Sequence, residues 1–413
     1  MRKRGVNVQH EFILTIMRRA LIILASLVVI LGIGVAVYFY FFANTASIIV
    51  APKNGSSLPA AGQTARVGDD ATTTPIITAS LVTQRLVRIS TGPVARGLVV
   101  VDVPATNASS SSDVAVNYIE RQSGNIFRYL THARTITRTS NRTVPGIETA
   151  SWLPDASIAF VRYLSGADFS TANTYALPAN GASGFFLPQN LSDIAVASTS
   201  VLMLASGVNG SAASIERPDG TNTKALFTTP LSSLRASFAG KERYLAFTRP
   251  SATLGGDAFL VDAVGLFSHI VGPHNGLVAL ASPSGKWVLV SYTRSNEMQM
   301  ELVNTTTRET LPLPVATIAD KCVWAVDDSG VYCGVPANPS ANYVYPDDWY
   351  QGAVQFSDRI WKIDVAGRYA QLVLDFSKEA KVSLDAQALA LDSANTTLAF
   401  INKTDGSLWV YQL

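Results

Sequence analysis

A short apolar run recurs seven times along this chain, and this repeat constrains the fold more than any other feature. The runs start at Val116, Ile158, Leu202, Leu245, Val288, Val331 and Leu398, with successive separations of 42, 44, 43, 43, 43 and 67 residues. A period of about 40–45 residues is typical of the four-stranded blade of a β-propeller, because one small sheet cannot cover its own faces until neighbours pack around a ring. The repeat therefore predicts an all-β fold, a seven-bladed β-propeller over residues 80–413.

The strand pattern around each run supports this interpretation and predicts how the ring closes. Short apolar runs alternate with turns of Gly, Asn, Asp, Ser and Pro, and no long stretch keeps a helical period. The seventh unit reaches Leu413 after three strands, whereas residues 81–90, LVTQRLVRIS, precede the first unit. We expect residues 81–90 to supply the missing outer strand of blade seven, which removes an open sheet edge. The longer last interval predicts an insertion at about residues 338–357 in blade six.

The N-terminal region has the pattern of a membrane anchor. Residues 20–43 are 24 residues without a charge, more than the roughly 20 that cross a bilayer core. Residues 1–19 hold five basic residues and one acidic residue, so the positive-inside rule predicts a cytoplasmic N-terminus, a single transmembrane helix at 20–43 and an extracytoplasmic propeller. A cleaved signal peptide is the alternative, although its apolar region usually spans only about 7–15 residues. The small polar residues of 53–75 predict a flexible linker over residues 44–79.

The charge balance excludes one class of partner. The whole chain has 32 basic and 30 acidic residues, and five of the basic residues lie in the first 19. The remaining body is close to neutral, which argues against binding to a phosphate backbone. We therefore expect no nucleic-acid partner.

Three turns carry a recognisable repeat motif. The segments SPSGKW from Ser282, WLPDASIAF from Trp152 and WAVDDSGVYCG from Trp324 resemble the W-S-P-D-G-K-x-I-A-F pattern of TolB-like, WD40-like β-propeller repeats. The resemblance spans about residues 80–413. It implies a six- or seven-bladed propeller and a binding role outside the cytoplasm, and it implies no catalytic residues.

The sequence contains none of the common catalytic or metal-binding motifs, so we predict no catalytic residue, no metal site and no cofactor. The four histidines include no helix-spaced pair, which a zinc site of the H-E-x-x-H kind requires. The chain also has no G-x-S-x-G elbow and no G-x-x-x-x-G-K-[ST] loop for phosphates.

The two cysteines lie on the first and second strands of one blade. If Val326 opposes Val331, Cys322 and Cys333 are diagonal neighbours on one sheet face. An oxidising exterior favours a disulfide, whereas diagonal spacing is long for this bond and favours two free thiols. The pattern leaves both states open.

The predicted insertion contains the densest cluster of functional side chains, YPDDWYQG at residues 345–352. Loops at one face of a propeller ring commonly carry ligand contacts, and aromatic side chains supply binding surface at low entropic cost. The candidate ligand-binding residues are Tyr343, Tyr345, Asp347, Asp348, Trp349, Tyr350 and Gln351. The alternative is structural: Trp349 and Tyr350 fold back over the blade, and the aspartates cap a short helix or turn.

Two function classes follow from these features. The first is a membrane-anchored, extracytoplasmic binding or scaffolding module for a protein, a peptide or a cell-envelope glycan. The second is a carbohydrate-active enzyme that uses Asp347 or Asp348 with a second acid, because glycosidases need two flanking carboxylates. The residues favour the binding module.

Overall fold

The computed structural model describes residues 85–105, 112–142, 144 and 146–413. The predicted transmembrane helix at 20–43 and the linker at 44–79 lie outside these residues. No helix in the described part of the chain is long and apolar enough to cross a bilayer.

The described residues form seven four-stranded antiparallel sheets, so the predicted seven-bladed β-propeller is confirmed. The chain begins with β1 (Leu86–Arg88). Blades one and two are β2 (Val99–Val103), β3 (Asp113–Ile119), β4 (Ile126–Leu130), β5 (Thr135–Arg138), β6 (Ile147–Trp152), β7 (Ile158–Ser165), β8 (Thr171–Pro178) and β9 (Phe185–Phe186). Blades three and four are β10 (Asp193–Val196), β11 (Val201–Gly207), β12 (Gly210–Glu216), β13 (Lys224–Thr229), β14 (Leu234–Phe238), β15 (Tyr244–Thr248), β16 (Gly255–Val261) and β17 (Phe267–Asn275).

The remaining blades follow the same order. Blades five and six are β18 (Val278–Ala281), β19 (Trp287–Arg294), β20 (Glu297–Asn304), β21 (Thr310–Pro312), β22 (Cys322–Trp324), β23 (Gly330–Pro336), β24 (Asp358–Asp364) and β25 (Tyr369–Asp375). Blade seven comprises β26 (Ala386–Leu391), β27 (Thr397–Asn402), β28 (Leu408–Gln412) and β1. Two short α-helices are present. The first, α1 (Asp347–Gln351), lies within blade six, and the second, α2 (Phe376–Glu379), lies between blades six and seven. A 3-10 helix at Ala319–Lys321 precedes β22.

Burial follows the position of a strand within its blade. All residues of the second strands β23 and β27 are buried, whereas all four residues of the outer strand β5 are exposed. The seven apolar runs of the sequence all lie in second strands, which neighbouring sheets cover on both faces. The repeat was visible in the sequence because these strands need continuous apolar residues.

The ring closes as the sequence predicted, through an N-terminal strand in the last blade. Leu86 pairs with Tyr411 and Arg88 pairs with Trp409 in antiparallel register. Leu86 is 2% exposed, and Arg85 extends the contact by donating from Nε to the carbonyl oxygen of Gln412 at 2.9 Å. The two ends of the domain therefore hold each other in one sheet.

The register of the cysteine pair differs from the diagonal arrangement expected above. Cys322 lies directly opposite Cys333, and Trp324, not Val326, opposes Val331. The reason is a turn that lies one residue earlier than expected. The amide of Ala325 donates to the carbonyl oxygen of Gly330, which leaves Val326 in the connection and 59% exposed. The two cysteines form a disulfide, with Cα atoms 4.1 Å apart.

Candidate functional site

The candidate site is a cavity of about 870 Å³ at one end of the ring, here called the central cavity. It lies on the face where first strands begin and second strands end. Six of the seven blades contribute residues to its wall, so it lies on the axis of the propeller. Its charged wall residues are Arg96, Arg162, Asp193, Arg235, Arg249, Asp320 and Asp347.

One arginine of the central cavity is held in an ion pair. Arg235 Nη1 lies 2.7 Å from Asp320 Oδ2, and the Tyr350 hydroxyl donates to the same oxygen at 2.7 Å. Burial works to raise the pKa of Asp320, but Arg235 and the hydrogen bonds hold it below its usual value. Burial and the Asp320 charge raise the pKa of Tyr350 well above its usual value, so the phenol stays a donor. This cluster fixes Tyr350 of the insertion to the cavity wall.

The other three arginines, Arg96, Arg162 and Arg249, form no ion pair with any residue that the structure describes. Arg162 donates from Nη2 to the carbonyl oxygen of Leu191, while its Nε is buried without a partner. Burial lowers the pKa of Arg162, which reflects the cost of taking this charge out of water. An anion entering the cavity would offset that cost.

Asp193 lies on the same wall and balances part of this charge. Its Oδ2 accepts a hydrogen bond from the amide of Ala236 at 3.1 Å, which ties blade three to blade four. Burial raises the pKa of Asp193, and the charges of Arg235 and Arg162 oppose that rise. With four arginines and three aspartates, the wall carries a net positive charge when all are ionised.

The insertion of blade six folds inward over the ring, and Trp349 anchors it. Trp349 is 2% exposed, and its Nε1 donates to both carboxylate oxygens of Asp385, at 3.2 and 3.0 Å. The Nζ atoms of Lys321 and Lys403 lie 4.9 and 5.0 Å from the centre of the indole ring. Such contacts between a cation and an aromatic face are favourable. Trp349 therefore packs against charged side chains from both blade six and blade seven.

A buried ion cluster lies beneath Trp349. Lys321 Nζ contacts Asp358 Oδ2 at 2.8 Å and also Asp385 Oδ1, and all three side chains are fully buried. Burial, together with the nearby Asp385, outweighs the Lys321 charge and raises the pKa of Asp358 to about 6. The cluster joins the residue before β22, the first residue of β24 and the residue before β26.

Four predicted residues, Asp347, Trp349, Tyr350 and Gln351, lie on the wall of the central cavity. Asp347 also accepts a hydrogen bond at Oδ1 from the amide of Ala252 at 3.0 Å, so the insertion reaches across to blade four. Gln351 is exposed at the end of α1.

The other three predicted residues lie away from the central cavity. Tyr345 is 2% exposed, and its hydroxyl donates to the carbonyl oxygen of Ser340 at 2.8 Å. Asp348 accepts from the amide of Val344 at 2.7 Å and so holds the turn before α1. Tyr343 is half-buried beside a separate groove in the insertion. Asp348 thus has the turn-capping role that the structural alternative gives to the aspartates.

Sequence reasoning missed the arginines, although the repeat contained a signal for two of them. Arg162 and Arg249 each lie four residues after the start of an apolar run, at Ile158 and Leu245. Equivalent repeat positions lie at equivalent places around a ring. Aligning the polar positions as well as the apolar ones would have brought these two arginines to the same face.

Within the part of the chain that the structure describes, no group of three or more His, Cys, Asp or Glu side chains is arranged to hold a metal ion. The charged groups that line the central cavity are arginine and aspartate side chains, and the Tyr350 hydroxyl lies beside them.

Comparisons with known proteins identify the architecture. No protein-family model and no curated protein matches the chain. Among solved structures, an oligogalacturonate lyase in complex with manganese is similar, with a TM-score of 0.51 at 9% identity, covering 73% of this chain and 86% of the lyase. An oligogalacturonate lyase from Vibrio parahaemolyticus has a TM-score of 0.53 at 9% identity, covering 81% of this chain and 94% of the lyase. These likenesses show the fold alone.

Proposed function

We propose that this chain is an extracytoplasmic binding module, anchored in the membrane by residues 20–43, whose propeller captures an anionic group of its ligand in the central cavity. The observation that carries the proposal is the convergence of Arg96, Arg162 and Arg249 without an ion-pair partner among the described residues. Arginine is the side chain best suited to carboxylates and phosphates, because its planar fork donates two parallel hydrogen bonds.

The construction of the wall supports binding. Asp320 Oδ2 lies 2.7 Å from both Arg235 Nη1 and the Tyr350 hydroxyl, and Trp349 donates a hydrogen bond to Asp385 beneath them. A wall that is already ordered loses little conformational entropy when a ligand enters. The resemblance of the repeats to TolB-like propellers adds weight to a binding role.

The location outside the cytoplasm has two supports. Basic residues precede the apolar segment at 20–43 and are scarce directly after it. The Cys322–Cys333 disulfide suits an oxidising compartment. Protease added to intact cells should cleave the propeller domain of the full-length chain, and complete protection until the cells are permeabilised would contradict this location.

The binding proposal is tested by calorimetry on the full chain with three probes: a poly-glutamate peptide, a uronate oligosaccharide and a neutral glucose oligosaccharide. We expect at least one acidic probe to bind, with an affinity that falls as salt is added, and no binding of the neutral probe. Replacing Arg162 or Arg249 by Gln removes a charged hydrogen bond of about 1.5–3 kcal/mol, so affinity should fall roughly ten- to a hundredfold.

Arg217→Gln is the matched control, because Arg217 is exposed in the turn between β12 and β13 on the opposite face of the ring. Equal binding of neutral and acidic probes would refute the proposal. So would an Arg162→Gln or Arg249→Gln variant that binds as tightly as the control.

One observation favours the enzyme as a second candidate. Asp193, whose pKa is raised by burial, and Asp347 both line the central cavity. Glycosidases use two carboxyl groups that flank the scissile bond. Cleavage of the uronate oligosaccharide by the wild type, lost in both Asp193→Asn and Asp347→Asn, would support this candidate over pure binding.

A further inference from the structure

In blades two to four, five exposed apolar side chains lie on connections or at a strand end, at the same face as the central cavity. They are Leu164, Phe169, Val208, Leu231 and Leu254, here called the apolar arc, with exposed fractions of 50, 67, 99, 36 and 70%. All five belong to blades two to four or to the connection between blades three and four. Exposed apolar side chains on the same face as a charged pocket are often part of an interaction surface.

The chain path places four members of the apolar arc close to the arginines in sequence. Leu164 and Phe169 follow Arg162 at the end of β7, and Leu254 follows Arg249 in the connection from β15 to β16. Leu231 precedes β14, which carries Arg235. Four of the five members of the apolar arc therefore lie within seven residues of a cavity arginine along the chain.

Phe169 shows a second, independent feature. Its backbone φ is +54°, in the left-handed region that bulky side chains avoid. The turn is held by the amide of Phe169, which donates to Gly166, and by Asp168, whose Oδ1 accepts from Ser170 at 3.3 Å. A left-handed backbone at a bulky residue costs free energy, and such strain is found more often at functional sites.

We infer that the partner of this face is a protein, which inserts an acidic side chain or a chain terminus into the central cavity and packs apolar side chains on the apolar arc. This inference rests on the proposed function and names the class of ligand. Charge complementarity selects the acidic group, because Arg96, Arg162 and Arg249 have no described ion-pair partner.

The apolar arc selects a protein over an acidic glycan. Four of its five members are aliphatic, and only Phe169 offers the flat ring on which a sugar stacks. Aliphatic and aromatic side chains around a central charged pocket match the composition of protein interfaces, in which apolar anchors surround a few polar contacts.

The inference is tested with a random peptide library displayed on phage and selected on the full chain in detergent. Enriched peptides should carry Asp, Glu or a free C-terminus beside aromatic or aliphatic residues. The affinity of a synthetic enriched peptide should fall at least tenfold in Phe169→Ser and in Leu254→Ser. It should not change in Val264→Ser, whose side chain is 76% exposed in the turn between β16 and β17 on the opposite face.

A parallel titration with poly-glutamate separates this inference from the proposed function. If poly-glutamate binds through the arginines while Phe169→Ser and Leu254→Ser leave peptide binding unchanged, the apolar arc is not a docking surface and only the further inference fails. If replacing the arginines changes neither the binding of poly-glutamate nor the binding of the peptide, the proposed function fails as well. A library without enriched acidic and apolar peptides, or a uronate oligosaccharide with the same dependence on Phe169, would overturn the assignment to a protein.

Discussion

Replacing Lys321 by Met tests the buried ion cluster that holds the insertion to the ring. Lys321, Asp358 and Asp385 are fully buried, and Lys321 is the cation that contacts both carboxylates. Methionine keeps most of the volume and the packing against the Trp349 ring, but it leaves the two carboxylates without a counter-ion.

The magnitude follows from the bonds that remain. Asp385 keeps the hydrogen bonds from Trp349 Nε1 and from the amide of Phe356, whereas Asp358 keeps only the amide of Ala386, and its Oδ1 has no partner. Breaking a buried ion pair on one side typically costs about 3–5 kcal/mol. The pKa of Asp358 is already raised to about 6 in the presence of Lys321. A proton on Asp358 therefore relieves part of the loss at acidic pH, and the destabilisation should be largest above neutrality.

The assay is urea unfolding, followed by far-ultraviolet circular dichroism, of wild type and Lys321→Met at about pH 8 and about pH 5. Lys403→Met is the matched control, because Lys403 lies over the same indole ring at 5.0 Å but is only half-buried. The control should lose less than about 1 kcal/mol. Two results would refute the reasoning: a Lys321→Met variant as stable as the control at pH 8, or a destabilisation that is equal at both pH values.

Three further predictions concern single features of the fold. The pKa of Asp358 is raised from 3.8 to about 6 in the folded protein, so its stabilising contribution is present below about pH 4 and is lost as the pH rises to about 6. In urea titrations, the free energy of unfolding of the wild type relative to Asp358→Asn should therefore fall by about 3 kcal/mol across that window. Leu86→Ala should lower the free energy of unfolding by about 2–5 kcal/mol and speed amide hydrogen exchange in β28. Val87 is only half-buried, so Val87→Ala should destabilise the protein less. Equal effects of the two substitutions would argue against the closing strand. Replacing both Cys322 and Cys333 by Ala should lower the free energy of unfolding by about 3 kcal/mol, measured by thermal unfolding. A wild-type protein whose stability does not change when reductant is added would contradict this.

Much of the architecture was predictable because it repeats. Burial on both faces forces continuous apolar runs into every second strand, and seven runs at a nearly constant spacing count the blades. The missing outer strand of blade seven and its replacement by β1 followed from the same count. The turn between Trp324 and Gly330 was harder, because a shift of two residues in the register of a hairpin keeps every side chain on its face and leaves no trace in the apolar pattern.

The candidate site was predictable only in part. Residues 345–352 were singled out by composition, and the structure brings four of the predicted residues to the central cavity. Composition did not reveal that Asp348 and Tyr345 serve the turn, because this depends on which backbone groups the folded insertion leaves without partners. Nor did it reveal Asp385, which accepts the Trp349 bond from 36 positions further along the chain.

The sequence by itself determined the blade number, the strand order and the strand that closes the ring, because these depend on periodic burial within short segments. Only the tertiary structure decided that Arg96, Arg162 and Arg249 meet around one cavity, and that Lys321 lies between two aspartates beneath Trp349. The physical reason is that a ring brings together residues from blades far apart in the chain. The charge that each residue meets there is set by the neighbouring blades and not by its neighbours in sequence.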